Sequence, residues 1–327
     1  MNSFGKNFRI QLYGESHGPA VGVIVDGLPA GIPINLKDFE RDISRRKPGA
    51  VGTTARSETD IPLILSGCFR DLTTGSPLHI QFVNGDIRSA DYEQQQKIPR
   101  PGHADFVAAK KFGGFHDYRG GGHFSGRLTL PIVAAGVLAK KIIGPIELEA
   151  TLIEAGGSND IQKAIEMAIA NQDSIGGIVE CKIQNVPIGL GEPFFDSIES
   201  KLSHLIFSIP AIKGIEFGSG FLAAKMKGSQ HNDSILNSSG QTQTNHAGGI
   251  NGGISNGNPI IFRVAIKPTS SIGAIQESVN LNTNQMESFQ IQGRHDVCIA
   301  LRVPVVVEAV AAIVIADLIM ESKLNKG

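Results

Sequence analysis

Residues 117–141 read DYRGGGHFSGRLTLPIVAAGVLAKK. Gly120, Gly121 and Gly122 in a row disfavour a regular element, because glycine loses the most backbone freedom on ordering. Ser125, Gly126 and Arg127 follow, and then an apolar run from Thr129 to Ile143. The pattern predicts a loop with bare backbone and a fixed cation that opens onto a buried helix. Bare N–H groups and a cation at a helix N-terminus suit a flat or phosphorylated ligand. The same residues also describe a glycine-rich turn before a core helix. The rest of the chain has to decide between the two.

Composition narrows the field. Of 327 residues, 41% are hydrophobic and 19% charged, and the formal net charge is -1. This is the make-up of a soluble globular protein with an ample core. It has no basic field, so nucleic acid is not an expected partner. Cys68, Cys181 and Cys298 are scattered without metal-ligand spacing, which fits a reduced, cytoplasmic compartment. The opening MNSFGKNFRIQLYGESHG lacks the apolar core of a signal peptide. The run from Pro304 to Met320 is the most apolar, but Glu308 and Asp317 interrupt it. A buried helix is expected there rather than a membrane span.

Strands are expected at Phe8–Tyr13, Ala20–Val25, Leu63–Ser66, Leu78–Val83, Glu147–Ala155, 177–185, Ile212–Phe217 and Pro259–Ile266. Helices are expected at Leu36–Arg45 with Asn35 as cap, from residue 103 or 104 to Lys111, at Ile161–Ala170, Ser197–Ile206 and Pro304–Lys323. The stretch 147–185 reads as a β-α-β unit. Strands alternate with helices in both halves, so the class is mixed α and β.

Several loops carry chemistry-bearing residues. His17 sits in Gly14-Glu15-Ser16-His17-Gly18, at the end of a strand. An imidazole there can give or take a proton near neutral pH. Five cations fall between Arg41 and Arg56, through Arg45-Arg46-Lys47-Pro48-Gly49. The helix dipole accounts for Arg45 and Arg46 but not for Arg56 among threonines. Arg100-Pro101-Gly102-His103-Ala104-Asp105 puts a cation and an imidazole in a stiff loop at a helix N-terminus. That arrangement suits an anion beside an acid or base, or simply a capped surface helix. Residues 228–257 form a long glycine-rich stretch, and a long irregular loop in a compact domain is usually functional. Gly218-Ser219-Gly220 is a weak dinucleotide fingerprint without a ribose-binding acid at the expected distance.

Taken together, these segments resemble chorismate synthase. The matches are Gly14–Gly18, Arg45–Gly49, Thr53–Asp60, Arg100–Asp105, Asp117–Gly122, Asn245–Gly249 with Gly252–Ser255, Lys267–Ser271 and Gly293–Asp296. They run in family order over nearly the whole chain, and their joint presence is highly specific although each alone is weak. The resemblance implies one α+β domain over residues 1–327, a β-α-β sandwich with helices between antiparallel sheets, assembled as a homotetramer. It implies a trans 1,4-elimination of phosphate from 5-enolpyruvylshikimate 3-phosphate, giving chorismate. Reduced FMN is required with no net redox change, and the step belongs to the shikimate pathway of aromatic amino acid biosynthesis.

The implied roles carry over residue by residue. His17, His103 and Asp296 match catalytic positions. Arg46, Arg100, Arg127 and Arg294 match substrate contacts, as a substrate with two carboxylates and a phosphate requires. FMN contacts fall on His123, Phe124, Ser125, Pro210, Ala211, Gly252, Lys267, Pro268, Thr269, Ser270, Ser271 and Arg294. Contact with NADP carries over to Arg46 alone, since Gly52 stands where many members have a second arginine. After the triple glycine, members usually read Arg-Ser-Ser-Ala-Arg-Glu-Thr. Here the run is His123-Phe124-Ser125-Gly126-Arg127-Leu128-Thr129, without that first cation, one hydroxyl and the carboxylate. The competing reading is a paralogue that binds flavin or an anionic metabolite without turnover.

Overall fold

The computed structural model describes residues 2–54, 58–85, 96–291 and 295–324. Alternating apolar residues give strands β1 (Ser3–Phe4), β2 (Arg9–Gly14) and β3 (Ala20–Asp26). Helix α1 (Lys37–Arg46) follows, one residue later than expected, with the Asn35 side chain accepting the Lys37 N–H at 2.9 Å. Strands β4 (Leu63–Ser66) and β5 (Leu78–Val83) complete a five-stranded antiparallel sheet in the order β1-β2-β3-β5-β4. Its inner face is Val21, Val23, Val25, Leu78, Ile80 and Phe82, all fully buried. The short helix α2 (Asp105–Lys111) leads through the glycine loop to α3 (Thr129–Ile142).

A second antiparallel sheet uses β6 (Glu147–Ala155), β7 (Gly177–Gln184), β8 (Ile212–Phe217) and β9 (Ile260–Ile266), ordered β8-β9-β7-β6. Helices α4 (Ile161–Ala170) and α5 (Ile198–Ile206) lie between its strands in sequence, α5 capped by Ser197. The expected β-α-β order of 147–185 is present as β6-α4-β7. β6 and β7 pair antiparallel, Leu148 opposite Ile183, because the connection through α4 returns the chain beside its own start. A hairpin, β10 (Gln276–Asn280) with β11 (Gln285–Phe289), gave no clear sequence signal because its strands are polar.

The last helix, α6 (Pro304–Leu324), lies with α3 between the two sheets. Both helices are apolar around their whole circumference, as burial from every side requires. Val305 to Ala316 of α6 are buried without a break. The two helices cross at Gly136, where a Cβ would overlap Ala309. Among the described residues, no helix is long and apolar enough to cross a membrane. The two buried acids on α6, Glu308 and Asp317, are both paired. Glu308 takes two hydrogen bonds from Arg45 at 2.6 and 2.7 Å and the Ala150 N–H at 3.0 Å. Burial pushes the Glu308 carboxyl up, but these donors and Lys140 outweigh it and hold the group below its ordinary value. Asp317 accepts the N–H groups of Lys6, Asn7 and Phe8 at 2.7–3.0 Å and so ties the start of the chain to its end.

Candidate active site

The loops at one end of the sandwich enclose a cavity of about 770 Å³, within the range of small-molecule sites. Gly120, the first of the triple glycine, is in its wall. Gly120, Gly121 and Gly122 all have positive φ, at 58°, 79° and 53°, a region that other L-residues rarely enter. This backbone passes between two imidazoles. A Cβ on Gly120 would overlap the ring of His17, and one on Gly121 would lie 3.4 Å from Cε1 and Nε2 of His103. His17 is buried to 4% exposure; His103 keeps 21% of its side chain exposed.

Beneath His17 lies a buried charge cluster. Arg127 donates from Nη1 to Asp60 in a short contact and from Nε to Asn84 at 3.0 Å. Asn84 in turn donates to the carbonyls of Glu15 and Gly18, at 3.0 and 2.7 Å, and so fixes the His17 turn. The remaining Nη2 of Arg127 is buried and has no protein acceptor. An unpaired buried guanidinium nitrogen is costly unless an anion completes it. Arg46 donates to Thr129 at 3.1 Å and to the Gly126 carbonyl at 3.0 Å, with Asp60 at 3.6 Å. Burial, and after it the charge of Arg302, pushes the Arg46 guanidinium down to about 9. Arg302 holds Asp296 at 3.1 and 3.2 Å and donates to the Arg46 carbonyl at 2.9 Å. Asp296 also accepts the Thr54 N–H at 3.0 Å. Three guanidiniums therefore meet two carboxylates, which leaves a positive excess facing the cavity. Asp60 has a φ of 52°, a strained backbone at the centre of this cluster.

The opposite wall is more open. Asp105 accepts from Arg100 Nε at 2.7 Å, from Arg100 Nη2 at 2.8 Å and from His103 Nδ1 at 2.5 Å. Burial raises the Asp105 carboxyl, but these donors hold it well below the usual carboxylate range. Arg100 Nη1 reaches Ser271 at 2.9 Å, and Lys267 binds the Gly102 carbonyl at 2.9 Å and Ser270 at 2.8 Å. Burial, and then Lys213, lowers the Lys267 ammonium. Thr269 presents a buried hydroxyl without a protein partner. Pro210 and Ala211 sit beside it in the lining, Ala211 at a φ of 75°.

The fold thus gathers most of the residues expected from sequence. His17, His103, Asp296, Arg46, Arg100, Arg127, His123, Phe124, Ser125, Pro210, Ala211 and Lys267–Ser271 all line the one cavity. Two of them turn away from it in part. His123 engages the Gly14 carbonyl at 2.7 Å and Asn2 at 3.2 Å, and Phe124 packs against Phe112 at 6.3 Å. Gly252 does not join the cavity within this chain. It lies exposed in the turn between Ile250–Asn251 and Ile254–Ser255, where a Cβ would meet nothing within 4 Å. The long polar segment around it is ordered by its own hydrogen bonds, such as Asp233 accepting the N–H groups of His246 and Ala247 at 2.8 and 2.9 Å. Gly218 permits close approach to that segment, and its strand is antiparallel, so the dinucleotide fingerprint has no parallel sheet to serve. Arg294 and Arg56 lie outside the described residues. Sequence reading assigned no role to Asp60, Asn84, Asp105 or Arg302. Asp60 and Asp105 stood inside quoted motifs, whereas Asn84 and Arg302 carried no local signal. Among the described residues, no cluster of His, Cys, Asp and Glu could hold a metal ion.

Comparison with known proteins agrees with this geometry. Residues 8–320 match the chorismate synthase family. A chorismate synthase of Chitinophaga pinensis is 61% identical over 100% of this chain and 99% of its own length. Those of Dehalococcoides mccartyi and Korarchaeum cryptofilum are 45% and 46% identical, each over 98% of this chain and 97% of the relative. A crystal structure of a chorismate synthase superposes with a TM-score of 0.75 at 26% identity, covering 98% of this chain and 93% of that one. The chain belongs to the chorismate synthase family and is an enzyme of that type.

Proposed function

We propose that the enzyme eliminates phosphate from 5-enolpyruvylshikimate 3-phosphate to give chorismate, with reduced FMN bound and no net redox change. The observation that carries this reading is the pair His17 and His103 facing one glycine loop, above a buried Arg127 with an uncompleted Nη2. Two proton-transfer groups and an anion site are what loss of a phosphate needs. The unpaired hydroxyl of Thr269 and the donors of Lys267, Ser270 and Ser271 suit the phosphate and ribityl oxygens of FMN. When bound, reduced FMN supplies electron density to the carbon that loses phosphate.

The protein's own groups carry the rest. Arg127 and Arg46 hold the anionic ends of the substrate, with Arg100 and Arg294 as further contacts. His17 delivers a proton to the departing phosphate oxygen. Asp296, paired with Arg302, assists removal of the ring proton, and His103 holds a proton toward the flavin. The residues that replace the usual family run have tasks in holding the glycine loop, through the His123 bond to Gly14 and the Phe124 contact with Phe112. This favours turnover over a binding-only paralogue. The working unit is a homotetramer of single-domain chains in the cytoplasm, and NADPH is a candidate reductant through Arg46.

Anaerobic incubation with photoreduced FMN and 5-enolpyruvylshikimate 3-phosphate, followed by a chorismate assay, tests the reading. Chorismate release at rates proportional to enzyme is the expected result. Flavin binding without product would favour the binding-only paralogue. Aerobic NADPH in place of photoreduction tests self-sufficiency, and light scattering of the eluted protein tests the tetramer.

A further inference from the structure

Asp105 is the acceptor on which both cationic groups of the open wall converge. We propose that Asp105, itself held by Arg100, is the positioning residue that fixes His103 as the Nδ1–H tautomer and turns its Nε2 to the cavity. The deduction is chemical. An ionised carboxylate can only accept, so the 2.5 Å contact puts the hydrogen on Nδ1; Arg100 Nη2, a donor 3.0 Å from Nδ1 and 3.3 Å from Nε2, is the longer contact and then has only the Nε2 lone pair to meet. Nε2 is then the atom that exchanges a proton; it lies beside Gly121, with Arg100 Nη2 3.3 Å away. A proton taken up at Nε2 makes an imidazolium that Asp105 stabilises, and the carboxylate itself stays ionised. Arg100 keeps it so, with Nε and Nη2 on the two carboxylate oxygens and the backbone N–H at 3.1 Å. Asp105 does not line the cavity, so it acts through His103 and not on the reactants.

The arrangement predicts what an amide would do. One carboxylate oxygen takes two donors from Arg100, its N–H and its Nε. In Asp105→Asn the amide oxygen settles there, and the NH₂ faces Nδ1 of His103. That donor forces Nδ1 to accept and fixes the ring hydrogen on Nε2, so His103 can no longer take up a proton at Nε2 and deliver it as an imidazolium held by Asp105.

The inference rests on the cavity being the site of the elimination, and its test separates the two. Nitrogen-15 NMR of the full-length protein at alkaline pH, with His103 assigned by its loss in His103→Gln, reads the neutral tautomer without substrate. Wild type should show hydrogen on Nδ1, and Asp105→Asn should show it on Nε2. The chorismate assay should then show kcat reduced on the order of 10²-fold or more in Asp105→Asn, with KM within about twofold. Asp105→Glu, which restores an acceptor, should recover part of the loss. Hydrogen on Nε2 in the wild-type enzyme overturns the proposal, and that spectrum decides even if the variant fails to fold. Wild-type kcat in Asp105→Asn overturns it as well. Absence of chorismate from wild type would count against the reaction alone, since the tautomer is read independently.

Discussion

The two sides of the triple glycine are built on opposite principles. On the His17 side nearly everything is buried: Ser16, His17, Asp60, Asn84, Arg46 and Arg127 are each below 8% exposure. On the His103 side, His103, Lys267, Ser270 and Ser271 are only half buried, although Arg100 behind them is not. The buried side holds fixed charges whose strength grows as water leaves. The open side holds an imidazole with a route to solvent, which a group that must regain its proton needs. One backbone with no side chains separates the two, so neither imidazole is screened from the ligand between them. Specific substitutions can break or sharpen this contrast.

The largest effect is expected on the buried side. Arg127→Ala strands Asp60 without its main partner, and breaking a buried pair costs about 3–5 kcal/mol. Chemical denaturation should register that loss, and substrate binding should vanish with it. A variant of near wild-type stability would mean that Asp60 is satisfied elsewhere. Gly120→Ala comes next. It meets the His17 ring at a φ of 58°, which combines overpacking with left-handed strain, together about 2–4 kcal/mol. Its chorismate rate should fall with its stability. His103→Ala should separate these quantities. Turnover drops on the order of 10²-fold while the melting curve barely moves, because the ring is partly exposed. Wild-type turnover there would remove His103 from the reaction.

Smaller effects should come from the open side. Gly121→Ala has room, with the His103 ring 3.4 Å away, so only its φ of 79° is penalised, by about 1–2 kcal/mol. A loss as large as that of Gly120→Ala would erase the distinction between the sides. The pH dependence of stability is the finest test. Asp105 has a lowered pKa when folded, so its contribution is complete above its unfolded value of about 3.9. It is lost as pH falls through the folded value. The stability gap between wild type and Asp105→Asn should therefore narrow steadily as pH falls below about 4. A gap that persists in acid would assign the role of Asp105 to packing.

Local pattern alone determined much of this protein. Period-two burial marked β3, β5, β7 and β9, and uniformly apolar runs marked α3 and α6, because these signals depend on residues close in sequence. The histidines, the glycines and most of the arginines stood out for the same reason: each sits in a short motif of unusual residues. Tertiary structure decided the rest. Whether β6 and β7 run parallel or antiparallel depends on the path of the connection, which no periodicity encodes. Asp60 meets Arg127 and Arg46 only because the loop before β4 folds onto the start of α3, and Arg302 meets Asp296 and Arg46 only because the entry to α6 passes α1. The exclusion of Gly252 from the cavity likewise follows from where a hairpin ends. Charge pairing acts through space between residues tens to hundreds apart. The sequence therefore names the chemical groups, and the fold alone selects which of them meet.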